Sequence, residues 1–167
     1  MALADYIVSK AFFAREFLMW LWHKSVSCDG VFNIHSGVIE VLFDDHMVFT
    51  GFLVGTDSTR LAGGEPAESE EARLAVREGK HLTEAKVTIV RDARSWTVTL
   101  KTDPFALASV KLPAVLSKFD DEKIMERMYL LDELESMIDF MFDEYIGERL
   151  FGDWGSTLDE IRDWVSN

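Results

Sequence analysis

The residues of this sequence best suited to binding a metal are a short group of aspartates and histidines. Asp44, Asp45 and His46 are consecutive, and His35 precedes them. Carboxylate oxygen and imidazole nitrogen are common metal ligands. Polar clusters between apolar runs are more often turns, and the four histidines lack HExxH or related spacing. We therefore expect a polar turn here, and neither a metal nor another cofactor.

The acids between residues 120 and 149 are the second candidate group. Spacings of three and four place two sets on shared helix faces, namely Asp132, Glu135 and Asp139, and Glu133, Ser136 and Phe140. Paired carboxylates perform acid–base chemistry only when burial or a like charge raises one pKa. Because this segment also has an apolar face, a solvated acidic face is the expected structure. The sequence has no glycine-rich phosphate loop and no nucleophile elbow, so we expect no enzyme activity.

Basic residues cluster in the middle of an otherwise acidic chain. The whole chain has a net charge of −13, and residues 119–167 hold 15 acids against 4 bases. Residues 73–101, in contrast, hold 7 bases against 3 acids. Such asymmetry can give an acidic protein one electropositive face. The candidates for contacting a phosphate backbone are Arg73, Arg77, Lys86, Arg91, Arg94 and Lys101. The alternative is that they neutralise the acidic C-terminal helices within the molecule.

The elements that position these cations lie between Glu68 and Thr102. A short amphipathic helix ends near Gly79. Two alternating runs follow, Thr83–Arg91 and Arg94–Lys101, separated by Asp92 and Ala93. This hairpin register places six apolar side chains on one face, pairing Ile89 with Trp96, Val87 with Val98, and Ala85 with Leu100. The other face pairs Thr88 with Thr97, Lys86 with Thr99, and Glu84 with Lys101.

The remaining chain predicts a mixture of helices and strands. Apolar spacing predicts a helix over Leu3–His23. It contains Trp20 and Trp22, which point about 200° apart at 100° per residue. One interpretation is that this helix packs on two sides, and the other is that these tryptophans form a dimer interface.

Further strands are predicted on both sides of the central hairpin. A short strand is expected at Val31–Ile34, and a second hairpin at Val38–Phe43 and Met47–Leu53 with Asp44–His46 as its loop. Another strand is expected at Ser58–Ala62, whereas Phe105–Leu112 is ambiguous between helix and strand.

Two helices are predicted in the acidic segment. The apolar face of a long helix at Asp120–Arg149 consists of Ile124, Met128, Leu131, Leu134, Ile138, Met141 or Phe142, and Tyr145. Thr157 and Glu160 form a capping box for a final helix.

The predicted fold class is therefore α+β, with two antiparallel β-hairpins packed against an N-terminal helix and a long C-terminal helix. We expect a single domain over residues 1–167, with an acidic helical segment at 119–167. One cysteine, Cys28, allows no intramolecular disulfide, and no apolar stretch is long enough for a membrane span. A cytoplasmic protein is expected.

Four segments together resemble the C-terminal part of the RdgC-type recombination-associated protein family. They are EFLMWLWHKS (16–25), SEEARLAVREGKHLTEAKVTIV (69–90), SWTVTLKT (95–102) and YLLDELESMIDFMFDEYI (129–146). The resemblance implies an α+β, bacterial, nucleoid-associated homodimer that binds duplex DNA without sequence preference and modulates recombination. The family's N-terminal half has no counterpart in this sequence, so a companion subunit that supplies it is the alternative to a homodimer.

Two functions follow from these patterns. The first is an RdgC-like, non-enzymatic protein that contacts DNA phosphates through the six basic residues. The second is an acidic protein-interaction or adaptor module, in which residues 119–167 solvate the protein or mimic nucleic acid toward a basic partner, without DNA binding.

Overall fold

The computed structural model describes residues 3–35, 37–51 and 57–167, with side chains in the first helix described from Phe13 onward. The helices are α1 (Leu3–Ser27), α2 (Glu70–Arg77), α3 (Asp120–Phe151) and α4 (Trp154–Ser166). The strands are β1 (Val31–Ile34), β2 (Gly37–Thr50), β3 (Ser58–Ala62), β4 (His81–Arg91), β5 (Arg94–Thr102) and β6 (Phe105–Lys111). A 3₁₀ turn at Pro66–Glu68 precedes α2.

The described strands form one antiparallel sheet in the order β1-β2-β4-β5-β6. Strand β3 pairs with the C-terminal half of β2, and β1 pairs with the N-terminal end of β2. Strand β4 pairs with β2 along most of its length. The α+β fold class, with hairpins packed against an N-terminal helix and a long C-terminal helix, is confirmed. The ambiguous segment after Pro104 is an edge strand, β6.

The central hairpin has the register that the sequence predicts. Arg91 pairs with Arg94, and all the predicted partners between them and the strand ends are observed. Asp92 and Ala93 form the loop with φ of 49° and 62°, the left-handed values that a tight two-residue hairpin turn requires. The residues on its apolar face are fully buried: Ala85, Val87, Ile89, Trp96, Val98 and Leu100.

The second predicted hairpin is wrong, because β2 is one continuous strand over Gly37–Thr50. The polar residues 44–46 form a bulge instead of a loop: Phe43 pairs with Val87, and the next paired residue, Met47, pairs with Ala85. Three residues therefore lie opposite one residue of β4, which bends the strand without reversing it. A polar interruption between two apolar runs fits a turn or a bulge equally well. Because β4 pairs with β2 on both sides of residues 44–46, these residues form a bulge and not a turn.

The four helices pack on the apolar face of the sheet. Side chains of α1, α2, α3 and α4 join one hydrophobic core with residues of β2, β4 and β5. In α1 the buried residues include Phe17, Leu18 and Leu21. The opposite face, which carries Thr88 and Thr97, is covered by none of the described helices. We call it the open sheet face.

The short helices α2 and α4 begin at polar N-cap residues. Ser69 caps α2 by accepting a hydrogen bond from the Ala72 backbone N–H at 3.2 Å, and Gly79 follows the helix with φ of 86°. The capping box predicted for α4 is wrong. Asp153 is the N-cap, accepting from the Ser156 N–H at 3.2 Å, whereas the Thr157 hydroxyl donates to Glu148 at 2.6 Å.

Within the described ranges, no helix has the length and apolarity needed to cross a membrane.

Candidate functional site

The tip of the β4–β5 hairpin is attached to α3 through a buried glutamate. Arg94 donates two hydrogen bonds to Glu133, from Nη1 to Oε2 at 3.0 Å and from Nη2 to Oε1 at 3.1 Å. Arg91 Nη1 lies 3.5 Å from the same carboxylate. Glu133 is only 8% exposed, and the Arg94 guanidinium lies 5.2 Å from the centre of the Trp96 ring. These two cations therefore neutralise a buried acid of their own chain.

Glu133 was predicted to lie on a solvated face, and that prediction is wrong. Its neighbours Asp132, Glu135 and Asp139 are exposed as expected. Charge and helical spacing alone do not separate Glu133 from them. What distinguishes Glu133 from these exposed acids is its position in the fold. The α3 face that carries Glu133 packs against the end of the hairpin, where two arginines are paired across the turn.

On the open sheet face, the lysines contact acids of neighbouring strands. Lys86 Nζ lies 2.9 Å from Asp45 Oδ1 and 3.6 Å from Asp44 Oδ2. Lys101 Nζ lies 3.4 Å from Glu84 Oε2. The hydrogen bond from Lys86 lowers the pKa of Asp45, and the same contact raises the pKa of Lys86.

The Asp44–His46 bulge therefore binds a lysine of its own chain. His46 Nε2 lies 3.0 Å from Glu84 Oε1, so each polar side chain of the bulge has an intramolecular partner. Among the described residues, no group of three or more His, Cys, Asp or Glu is arranged to hold a metal ion.

The two arginines of α2 also contact an acid. Arg73 Nη2 lies 3.0 Å from Glu70 Oε2, and Arg77 pairs with the other oxygen of Glu70. Arg77 Nη1 also lies 3.5 Å from the carbonyl oxygen of Ser166, at the end of α4. A cation next to a helix C-terminus interacts favourably with its unpaired carbonyls. Arg77 thus faces the C-terminal helix, α4.

The six basic residues predicted to contact DNA do not converge. Arg73 and Arg77 lie on α2, which precedes the start of β4, whereas Arg91 and Arg94 lie at the opposite end of that strand. At about 3.3 Å per residue, the ten steps of β4 separate these ends by about 33 Å. Lys86 and Lys101 point from the opposite face of the sheet. Each of the six has a carboxylate partner in the same chain.

Both tryptophans of the predicted interface are buried within the chain. Trp20 is 2% exposed and Trp22 is fully buried. Trp20 Nε1 donates to Glu148 at 3.1 Å, and Trp22 Nε1 donates to the Ala67 carbonyl at 2.9 Å. Their divergent directions therefore reflect packing of α1 on two sides. An interface at these residues would require exposed indole rings, and both rings are buried.

A half-buried acid, Glu16, also joins α1 to α3. Glu16 accepts a hydrogen bond from Arg149 Nε at 2.7 Å and another from the Tyr145 hydroxyl. Burial raises the pKa of Tyr145, as does its hydrogen bond to Glu16. These contacts hold the C-terminal part of α3 against α1, and sequence spacing gave no sign of them because the partners are far apart in the chain.

The N-terminal part of α3 has a solvent-facing apolar surface. Its members are between 41% and 66% exposed: Ile124, Met125, Met128, Tyr129 and Leu131. We call these five residues the α3 stripe. The apolar face predicted from spacing is therefore wrong at Ile124, Met128 and Leu131. The buried face begins at Leu130 and continues through Leu134, Met137, Ile138, Met141 and Tyr145.

Acidic residues lie at both ends of the α3 stripe. Asp121 is one turn before Ile124 and Met125, and Asp132 and Glu135 are one turn after Met128 and Leu131. All three acids are exposed. In the part of the chain that the structure describes, none of them forms an ion pair closer than 4.0 Å. Their charge is thus available to a second molecule.

A cleft of about 370 Å³ lies beside the α3 stripe, between the end of β1, the hairpin tip and α3. Tyr129 belongs to the stripe and also lines the cleft. The other polar residues that line the cleft are His35, Arg91, Asp132, Glu133 and Ser136. The cleft extends the accessible surface of α3 toward the sheet.

The sequence matches no protein-family model, and comparison with curated proteins finds no match. The resemblance to the RdgC-type family therefore stays a prediction from the four segments given above, as do the DNA-binding and recombination roles that it implies.

Proposed function

We propose that this protein is a non-enzymatic, acidic protein-interaction module, and that its binding surface is the exposed side of α3. The observation that carries the proposal is the α3 stripe, five neighbouring apolar side chains in solvent with unpaired carboxylates at both ends. Contiguous apolar surface bordered by polar groups is typical of protein interaction sites.

The composition of the stripe suits protein recognition. Met125 and Met128 have flexible, polarizable side chains that adapt to different partner surfaces. Tyr129 offers a large rigid surface with a polar tip, a combination enriched in protein interfaces. Solvent exposure of these groups is unfavourable for the isolated chain, and covering them with a partner removes that cost.

The basic residues support the same proposal. Each of the six candidate DNA contacts already lies near a carboxylate of its own chain. Releasing one to a phosphate would leave its acid partner uncompensated, which is most costly for buried Glu133. The uncompensated charge of the protein is the acidic surplus of residues 119–167, which attracts basic partners and repels nucleic acid.

Duplex DNA binding by a homodimer, in the cytoplasm and at the nucleoid, is the second candidate. The observation that favours it is the open sheet face, where Lys86, Lys101 and Lys111 lie on one side of three adjacent strands. The surface ion pairs of Lys86 and Lys101 are worth about 1 kcal/mol or less each, so phosphates can compete for these two lysines. Threonine hydroxyls on the same face are further phosphate donors.

Site-specific photo-crosslinking in the host cell separates the two functions. One variant carries the crosslinking residue at Met125 in the α3 stripe, and the other carries it at Thr97 on the open sheet face. The interaction module predicts a protease-sensitive, nuclease-resistant adduct at position 125 and none at position 97. A nuclease-sensitive adduct at position 97, with no protein adduct at position 125, would reject the proposal in favour of DNA binding.

Direct titration with duplex DNA gives a second test. Electrostatic contacts are strongest at low ionic strength, so the assay is run at about 50 mM salt. The interaction module predicts no salt-sensitive binding under these conditions. Binding that weakens with added salt and is reduced in the Lys86→Gln/Lys101→Gln variant would contradict it.

A further inference from the structure

We propose that the α3 stripe binds an amphipathic helix of a partner protein, with lysines or arginines at the two ends of that helix's apolar face. This inference rests on the proposed function and specifies the chemistry and shape of the partner.

The geometry of the stripe fits a helix lying alongside α3. Ile124, Met128 and Leu131 are separated by four and three residues, the spacing of a seam between two packed helices. Met125 and Tyr129 widen that seam on one side. From Asp121 to Glu135 the helix advances about 21 Å at 1.5 Å per residue. A partner helix of about four turns covers that length.

The charges around the stripe favour cations on the partner. Asp121 lies in line with the stripe at its start, and Asp132 and Glu135 lie in line with it at its end. The nearby Lys123 is paired with Asp120 at 3.1 Å on another side of the helix. Arg127 borders one edge, so the acids outnumber the cations next to the stripe. Basic residues at the two ends of a docked helix would each approach a carboxylate.

A second copy of this chain is a poor occupant of the same surface. In a two-fold antiparallel arrangement centred on Met128, Asp121 of one copy lies opposite Glu135 of the other, since each is seven residues from the centre. In a parallel arrangement, each acid of one chain faces the same acid of the other chain. Like charges across an interface oppose association. The charge pattern therefore selects a basic partner over self-association through α3.

The test uses three synthetic helical peptides of about 18 residues, or five turns. All share one apolar face of leucines, and they differ only in the flanking residues: lysine and arginine, glutamine, or glutamate. Fluorescence anisotropy measures binding of each to the full chain. We expect the basic peptide to bind at least about tenfold more tightly than the neutral one at low salt, and the acidic one not to bind.

Matched variants locate the binding surface. The Met125→Gln/Met128→Gln variant removes apolar surface from the stripe and should weaken basic-peptide binding about tenfold, as expected for central interface side chains. Leu150→Gln, an exposed apolar residue at the other end of α3, is its control and should have no effect. Asp121→Asn/Glu135→Gln should reduce the preference for the basic peptide, whereas Glu144→Gln, an exposed acid of the same helix, should retain it.

Each other outcome overturns the inference. Equal binding of all three peptides, or binding that Met125→Gln/Met128→Gln does not change, means that the stripe is not a site for a basic helix. Self-association that this variant abolishes means that a second copy is the occupant. If no peptide binds while Met125 still crosslinks to a cellular protein, the partner is not a basic helix but the proposed function stands. If both assays are negative, the proposed function fails as well.

Discussion

Along Leu130–Tyr145, which we call the buried half of α3, one face of the helix buries apolar side chains, whereas in the exposed half before it the same residue types face solvent. Met141 is fully buried and Met128 is 61% exposed, although both belong to the same apolar pattern in the sequence. Apolar spacing therefore identifies a helix with an apolar face. It does not identify which part of that face the rest of the chain covers.

The boundary between the two halves lies where the β4–β5 hairpin contacts α3. Trp96 Nε1 donates to the Leu130 carbonyl at 2.9 Å, and Arg94 binds Glu133 one turn later. Beyond this point toward the C-terminus, α1 covers α3, with the Phe17 and Phe142 ring centres 5.2 Å apart. Before it, α3 extends past the hairpin tip.

The largest expected effect comes from the buried half. Met141→Ala removes a fully buried side chain from the core and should lower the free energy of unfolding by about 3 kcal/mol, through lost burial and the cavity left behind. Urea denaturation followed by tryptophan fluorescence measures this. A loss below about 0.5 kcal/mol, the size typical of surface substitutions, would mean that this half of α3 is not packed as described.

The contact at the boundary should have an intermediate effect. Glu133→Gln removes the charge that two arginines share and should cost about 2 kcal/mol, because Arg91 and Arg94 are left without their buried anion. Glu135→Gln is the matched control, an exposed acid two positions away, and should change stability by about 0.5 kcal/mol or less. Equal effects of the two substitutions would show that the hairpin tip is not anchored to α3.

The junction between α1 and α4 predicts a pH dependence. Burial lowers the pKa of His23 below its ordinary value of 6.5, and Lys24 adds to this, while Glu160 and Glu148 oppose it. The unfolded chain therefore binds more protons below that value, so stability is greatest above pH 6.5 and falls as the pH drops.

One such proton changes stability by at most about 1.4 kcal/mol per pH unit. Urea midpoints at successive pH values below 6.5 should fall less steeply in His23→Gln than in the original protein, whereas the exposed His35→Gln should retain the original slope. The burial of His81 lowers its pKa too, so part of the dependence should persist in His23→Gln. An unchanged slope in that variant would contradict the burial of His23.

The smallest expected effect is in the exposed half of α3. Met128→Ala should change the free energy of unfolding by less than about 0.5 kcal/mol, because the side chain contacts mostly water and alanine is a good helix former. Compared with Met141→Ala, it makes the same chemical change on the same helix. A large destabilisation by Met128→Ala in dilute monomeric protein would mean that the α3 stripe is covered by the chain itself.

The sequence predicts the fold correctly where strand alternation and turn length, which involve only neighbouring residues, determine the structure. In the β4–β5 hairpin, strict alternation and a two-residue loop leave one register that buries the apolar side chains, so the pairing from Arg91 and Arg94 to Glu84 and Lys101 is fixed by neighbouring residues. For the bulge in β2 the sequence predicts a hairpin loop instead, because its polar residues are equally suited to a turn. Only the continuous pairing of β2 with β4 shows that the chain does not reverse there.

The candidate sites depended on contacts between distant segments, which no local pattern encodes. Residue type and spacing are enough to predict the helical and strand periods, the acidic surplus of residues 119–167 and the cluster of cations before it. The packing of the folded chain is needed to show that Glu133 pairs with Arg91 and Arg94, that Trp20 and Trp22 are buried, and that the apolar face of α3 stays uncovered before Leu130. The physical reason is that burial and ion pairing depend on what lies opposite a side chain, and that is set by the packing of elements far apart in the chain.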